Sequence, residues 1–310
     1  MKTRIITDSA SDILGGEYEN LTVLPLSITF GTATYLDGVD LTHERFYELL
    51  VEEDELPKTG QVNPYAFGQV LDEVHAAGQE AVVITLSSKL SGTHQSAITA
   101  AAQAKGVVRV VDSLNVCVGE RVLVECALRL AEKGLGAVEI ADQICALRDR
   151  VCVVGLLDTL EYLRRGGRIS AAAGAVGELL SIKPVIAIRS GEVALLGKAR
   201  GSKNGRNLLN QQVEDAGGID FGMPVALGYA GLSDRLLRKY VAGRRAFPTA
   251  ACPSTPWAPP SAPTWAPAPL PWRSSARPKR RRNSVQNNDP ASFSAAFPQV
   301  RSVRGRYFVR

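Results

Sequence analysis

Histidine is nearly missing from this chain, and cysteine is sparse. The three histidines, His43, His75 and His94, stand at no spacing that would ligate a metal. The five cysteines, Cys117, Cys126, Cys145, Cys152 and Cys252, are odd in number and include no Cys-x-x-Cys pair. They read as reduced thiols, most of them in the core, which argues against both a zinc site and a disulfide framework. No apolar run is long enough to cross a bilayer, and Met1-Lys2-Thr3-Arg4 passes straight into a strand with no apolar signal region. A cytoplasmic, soluble protein is expected. The chain also lacks a P-loop, a metal set and a nucleophile–base pair, so neither a cofactor nor catalysis by the chain itself is expected.

Two further shortages divide the 310 residues. Tryptophan is missing from residues 1–243, and acid is nearly missing from 244–310. The second stretch holds 12 Lys/Arg against Asp289 alone, a net of +11, whereas residues 1–243 carry 24 basic and 30 acidic residues, a net of −6. The formal charge of +5 therefore describes neither part. Trp257, Trp265, Trp272 and 12 of the 17 prolines also fall in 244–310. The run from Cys252 to Trp265 is rich in Pro and Ala, aperiodic, and unable to form a regular element. One reading is a disordered Pro-rich ligand for a partner domain. Lys279-Arg280-Arg281-Arg282 raises nucleic acid or an anionic membrane as partners. The preferred reading is a shifted frame. High-GC codons for this stretch, read one nucleotide earlier, are compatible with a strand, a Gly-Thr-His-x-Gly-Pro-Gly loop and a last apolar strand. The tail is then disordered or non-native, the basic run is a by-product, and no nucleic-acid partner is expected.

The remainder is long enough for two α/β domains. In residues 1–150, strands are expected over 4–7, 21–30, 34–36, 81–86 and 107–111. Helices are expected over 42–51 with Thr42 as N-cap, 64–76 behind Asn63, 93–104, 116–133 and 137–149. Apolar strands alternating with helices predict a parallel sheet covered on both faces. A second α/β domain, 151–243, reads as truncated. It has a strand over 151–157, helices over 159–165 and 171–180, and a hairpin of 183–189 and 192–198 turned at Ser190-Gly191. A helix over 202–215, a strand over 224–229 and a helix over 232–241 follow. No internal repeat is found. Without a final strand the second sheet would expose an edge, so reduced stability or solubility is expected.

Two loops carry the chemistry. Thr59 lies in Lys58-Thr59-Gly60-Gln61-Val62-Asn63-Pro64, before a helix. Ser91 lies in Ser87-Ser88-Lys89-Leu90-Ser91-Gly92-Thr93, between a strand and a helix. Free N–H groups and the helix dipole suit such loops to an anion, and hydroxyls can donate to it without a counter-charge. On spacing alone, Ser91 and Thr93 read as helix caps and Thr59 as an ordinary loop residue. Asp8, Ser9, Ser11 and the pair Asp112-Ser113 read as turn and cap residues.

These loops, with Thr7-Asp8-Ser9-Ala10-Ser11-Asp12, Leu163-Arg164-Arg165-Gly166-Gly167-Arg168-Ile169 and Gly197-Lys198-Ala199-Arg200-Gly201, resemble the DegV family over residues 2–243. These are bacterial fatty-acid-binding proteins, some of which are the acyl-carrying FakB subunit of a fatty acid kinase. The resemblance implies a long-chain fatty acid as ligand, its carboxylate between Thr59 and Ser91 and its tail in an apolar tunnel between the domains. It assigns Ser91 to the ligand and leaves Thr93 as a cap. It implies a kinase catalytic subunit as partner, met by Arg168 and Arg200, which otherwise read as solvated arginines at turns. It leaves room for transient contact with a membrane surface. Gly60 departs from the family's serine and removes one donor. In the alternative frame Thr264 takes the place of the family's ligand-contacting histidine. The rival is a hydrolase or phosphotransferase using Ser91 as nucleophile, with His94 as the nearby base. A third reading, a basic Pro-rich interaction protein, rests on the tail alone.

Overall fold

The computed structural model describes residues 2–53, 55–169 and 182–242. The helix expected over 171–180, and everything from Gly243 onward, including Cys252, Thr264 and Lys279-Arg280-Arg281-Arg282, lie outside the described residues. In chain order the strands are β1 (Thr3–Asp8), β2 (Leu21–Leu24), β3 (Ser27–Phe30), β4 (Ala33–Leu36), β5 (Lys58–Gly60), β6 (Glu80–Thr85), β7 (Val108–Asp112), β8 (Val153–Leu156), β9 (Ile182–Arg189) and β10 (Glu192–Arg200). The helices are α1 (His43–Glu52), α2 (Pro64–Ala76), α3 (Thr93–Ala101), α4 (Val118–Glu132), α5 (Ala137–Arg148), α6 (Glu161–Arg165), α7 (Gly201–Asp215) and α8 (Arg235–Ala242). No helix among the described residues is long and apolar enough to cross a membrane.

A four-stranded parallel sheet, β2-β1-β6-β7, forms the centre. Its strands are apolar on both faces, and both faces are covered, as a parallel sheet requires. Ile5, Val82 and Ile84 share one face and pack with Leu123, Ala127 and Ile140 of α4 and α5. Ile6, Ala81 and Val83 share the other and pack with Phe67 and Leu71 of α2 and Ala97 of α3. Local chemistry starts the helices where expected. The Thr42 side chain accepts from Arg45 N–H at 3.2 Å, and Asn63 accepts from Ala66 N–H at 2.8 Å with Pro64 in the first turn.

Two antiparallel sheets flank this core. The order β4-β3-β5 corrects the expectation at Thr59, which lies in a short strand opposite Ile28 and not in a loop. Three residues with no apolar pattern are a strand here only because β3 supplies their hydrogen bonds. The order β10-β9-β8 leaves β8 at an edge. The strand expected over 224–229 has no ladder. Its apolar run is explained by packing alone, since Ala226 and Leu227 are buried against Val122, Val118 and Val153. The four described cysteines carry no disulfide. Cys126 is buried in the core, Cys117 and Cys145 are half-buried and packed against the core clusters, and Cys152 is half-buried.

The β9–β10 turn joins the two halves. Ser190 and Gly191 have φ of 50° and 85°, the left-handed pair that a two-residue hairpin needs. Ser87, after β6, donates its hydroxyl to the Gly191 carbonyl at 2.7 Å. A Cβ on Gly191 would stand 2.6 Å from Ser87 Oγ and 3.2 Å from Leu114 Cδ2. Gly191→Ala is therefore expected to lower stability in urea by about 1–3 kcal/mol, through both the backbone and the crowding. Ser190→Gly, at the neighbouring position, should be neutral or stabilising; equal losses in the two would show that docking at Ser87 does not matter.

Candidate ligand-binding site

Thr59 arrives on β5, and Ser91 on the loop from β6 into α3. With Leu26, Gly60, Gln61, Gly92 and Arg168 they enclose a small polar pocket of about 100 Å³. Thus the two hydroxyls meet at one site, and Arg168 comes to them from the far half of the chain. Arg168 is half-buried, its guanidinium donating to the Gly166 carbonyl, so it is not the solvated turn arginine of the plain reading. Arg200 is different: it ends β10, is exposed, and lines neither this pocket nor the next.

Arg168 also lines a second cavity of about 330 Å³, within the range of small-ligand sites. That cavity is walled largely by apolar side chains, among them Leu90, Val116, Leu163, Ile186 and Leu237, and all four residues of β8 line it. A polar end and an apolar body therefore share one arginine wall. Lys183 and Asp158 form an ion pair on the same lining, so that charge is already neutralised inside the cavity.

Around Ser91 the hydrogen bonds are specific. Ser91 Oγ accepts from Thr93 N–H at 3.2 Å and lies 3.0 Å from Thr93 Oγ1. Thr93, fully buried, accepts from Val62 N–H at 3.3 Å. This corrects the role of Thr93 as a cap. It is the first residue of α3, and the N-cap position is Gly92. A Cβ on Gly92 would stand 1.9 Å from Gln61 Oε1, so glycine here admits the Gln61 amide, whose Nε2 donates to Ser96 Oγ at 3.0 Å. Gly60 leaves room for Ser27 across the sheet, whose Oγ occupies the space that a Cβ there would need.

His94 is turned away from Ser91. Its Nδ1 pairs with Thr85 Oγ1 at 3.0 Å, and burial lowers its pKa. The nucleophile–base contact that the hydrolase reading needs is therefore not formed. Asp112 Oδ1 accepts from Leu114 and Ser88 N–H, a turn role.

Beneath the cavity wall lies a set of buried acids. Asp8 Oδ1 accepts from Ala10 N–H at 3.0 Å and Oδ2 from Leu86 N–H at 2.9 Å, the capping role expected of it. Burial nonetheless outweighs these donors and pushes its pKa up to about 7. Glu120, fully buried, accepts from Thr7 Oγ1 at 2.9 Å, and burial, then the nearby Asp8, holds its pKa well above the usual carboxylate range. Asp12 and Cys117 line the cavity from this side. Sequence reading missed Gln61, Cys117 and the pocket position of Arg168; the glycines at 92 and 166–167 were the available signals.

The DegV family model, described as that of an uncharacterised protein family, matches residues 2–242. The chain belongs to the DegV family. A DegV domain-containing protein of Caldanaerobacter subterraneus is 34% identical over 223 residues, covering 71% of this chain and 79% of that protein. Among solved structures, a fatty-acid-binding DegV family protein from Thermus thermophilus has 32% identity and a TM-score of 0.64, covering 70% of this chain and 78% of that one. A stearic-acid-binding protein from Eubacterium ventriosum has 30% identity and a TM-score of 0.63, covering 69% and 76%. The fatty acid kinase B3 protein of Streptococcus pneumoniae, loaded with linoleic acid, has 25% identity and a TM-score of 0.66, covering 78% and 87%. The family match ends where the composition breaks.

Proposed function

We propose that this chain is a fatty-acid carrier. It holds the carboxylate at Thr59 and Ser91, lays the acyl chain in the apolar cavity, and presents the carboxylate to a separate ATP-dependent kinase. The observation that supports this best is the polar pocket and the apolar cavity meeting at Arg168. The energetics agree. About fifteen buried methylenes at ~0.8 kcal/mol each give a gross term on the order of 12 kcal/mol. Each hydrogen bond to the carboxylate adds roughly 1.5–3 kcal/mol. The tail sets affinity and the hydroxyls set orientation. Arg168 beside the carboxylate suits a developing acyl phosphate, because a guanidinium fork matches phosphate oxygens. Exposed Arg200 is the contact for the kinase. Transient contact with a lipid surface would fall at Leu232 and Leu236, which are 58% and 57% exposed, the latter on the cavity wall.

Native mass spectrometry tests the reading, on this chain and on a version with the tail restored to the alternative frame. A copurified fatty acid on the restored form supports it. No lipid on a well-folded restored form would sink it. Within that reading, Ser91→Ala and Thr59→Val are each expected to weaken palmitate binding by about 10- to 100-fold in calorimetry.

A further inference from the structure

The hydrogen bonds around Ser91 have a direction, and it deepens the carrier reading on which it rests. Thr93 Oγ1 has two neighbours within bonding distance among the described residues, Val62 N–H and Ser91 Oγ. The amide can only donate, so Thr93 accepts from it. A hydroxyl has one proton and two acceptor positions. Were Ser91 to donate to Thr93, the Thr93 proton would be left without an acceptor at a position that is 0% exposed, which is costly. Thr93 therefore donates to Ser91. Ser91 Oγ then accepts twice, from Thr93 Oγ1–H and from Thr93 N–H. Both its acceptor positions are filled, and its single proton is left for the pocket it lines.

We infer that Thr93 is a positioning residue that locks Ser91 as a hydrogen-bond donor, so that the pocket selects a head group that accepts, such as a carboxylate, over one that also donates, such as an alcohol. The relay runs Val62 N–H to Thr93 hydroxyl to Ser91 hydroxyl to ligand oxygen. Gln61 supports it by lying across Gly92 and bonding Ser96, which holds the Val62 segment against the start of α3.

The test is the affinity ratio of palmitate to hexadecanol, measured on the full chain. Thr93→Val keeps the shape and removes the hydroxyl, freeing Ser91 to accept. The acid-to-alcohol ratio is expected to fall by about tenfold, the worth of one charge-assisted bond. Thr93→Ser, which keeps the relay, should retain the wild-type ratio. It also serves as the informative variant if Thr93→Val loses the fold by orphaning the Val62 amide. In that case, a Thr93→Ser ratio lowered to the level of Ser91→Ala would overturn the relay. A Thr93→Val protein that loses affinity for acid and alcohol equally would also overturn it and leave Thr93 merely structural. A wild-type chain that binds both ligands equally, or neither, overturns the carboxylate reading itself and the relay with it.

Discussion

Stability toward urea is expected to fall as the pH is raised from about 4 to about 7, the reverse of the ordinary acid-sensitive protein. Asp8 titrates at about 7 in the folded chain against 3.8 ordinarily. Between those values the folded state keeps a proton that the unfolded chain has released. Unfolding releases it, so higher pH favours unfolding. A shift of about three units corresponds to roughly 4 kcal/mol, present below pH 4 and lost by pH 7. Glu120 is shifted in the same direction and adds to the slope. Asp8 raises Glu120 further across β1 and α4, and Asp12, Asp37 and the Cys117 thiol stand in the same buried cluster. Asp8→Asn should flatten the profile between pH 4 and 7. It should also cost about 1–3 kcal/mol at low pH, because an amide NH₂ cannot accept from either Ala10 or Leu86. Urea midpoints that rise from pH 4 to 7 would mean that Asp8 stays ionised at its two N–H donors.

Gly155→Phe is expected to remove acyl binding by a few hundredfold while leaving the fold intact. Gly155 sits mid-β8 on the cavity lining, opposite Ile186, and a Cβ there would make an ordinary 3.5 Å contact with Ile186 Cγ1. Alanine is therefore a near-neutral control, and phenylalanine suits a strand. Its ring would take the room of four or five methylenes, at ~0.8 kcal/mol each, or roughly 3–4 kcal/mol. Unchanged palmitate affinity in a folded Gly155→Phe protein would place the acyl chain outside this cavity.

What sequence could reveal followed the range of the forces. Thr42, Asn63-Pro64 and Ser190-Gly191 act within a few residues, so the caps and the turn were legible. The strand cores were legible because Ile5, Ile6 and Val82 to Ile84 are buried on both faces and leave no polar alternation. β5 was not, since its identity depends on β3. The apolar run over 224–229 misled because burial against α4 and pairing in a ladder need the same residues. Thr59 and Ser91 were picked out by family resemblance, not by spacing. The inward place of Arg168 depends on a long-range approach, and the donor direction at Ser91 depends on the burial of Thr93.

The position of β8 has one more consequence. It is an edge strand among the described residues, and its four residues form part of the cavity lining. Its outer peptide groups, unpaired among the described residues, are a template on which another chain's strand can add. An acyl chain lying there would satisfy none of those groups, yet it would occupy the approach to them. On the carrier reading, ligand and foreign strand would compete for one volume, so the loaded protein would guard its own edge and the emptied one would invite a neighbour.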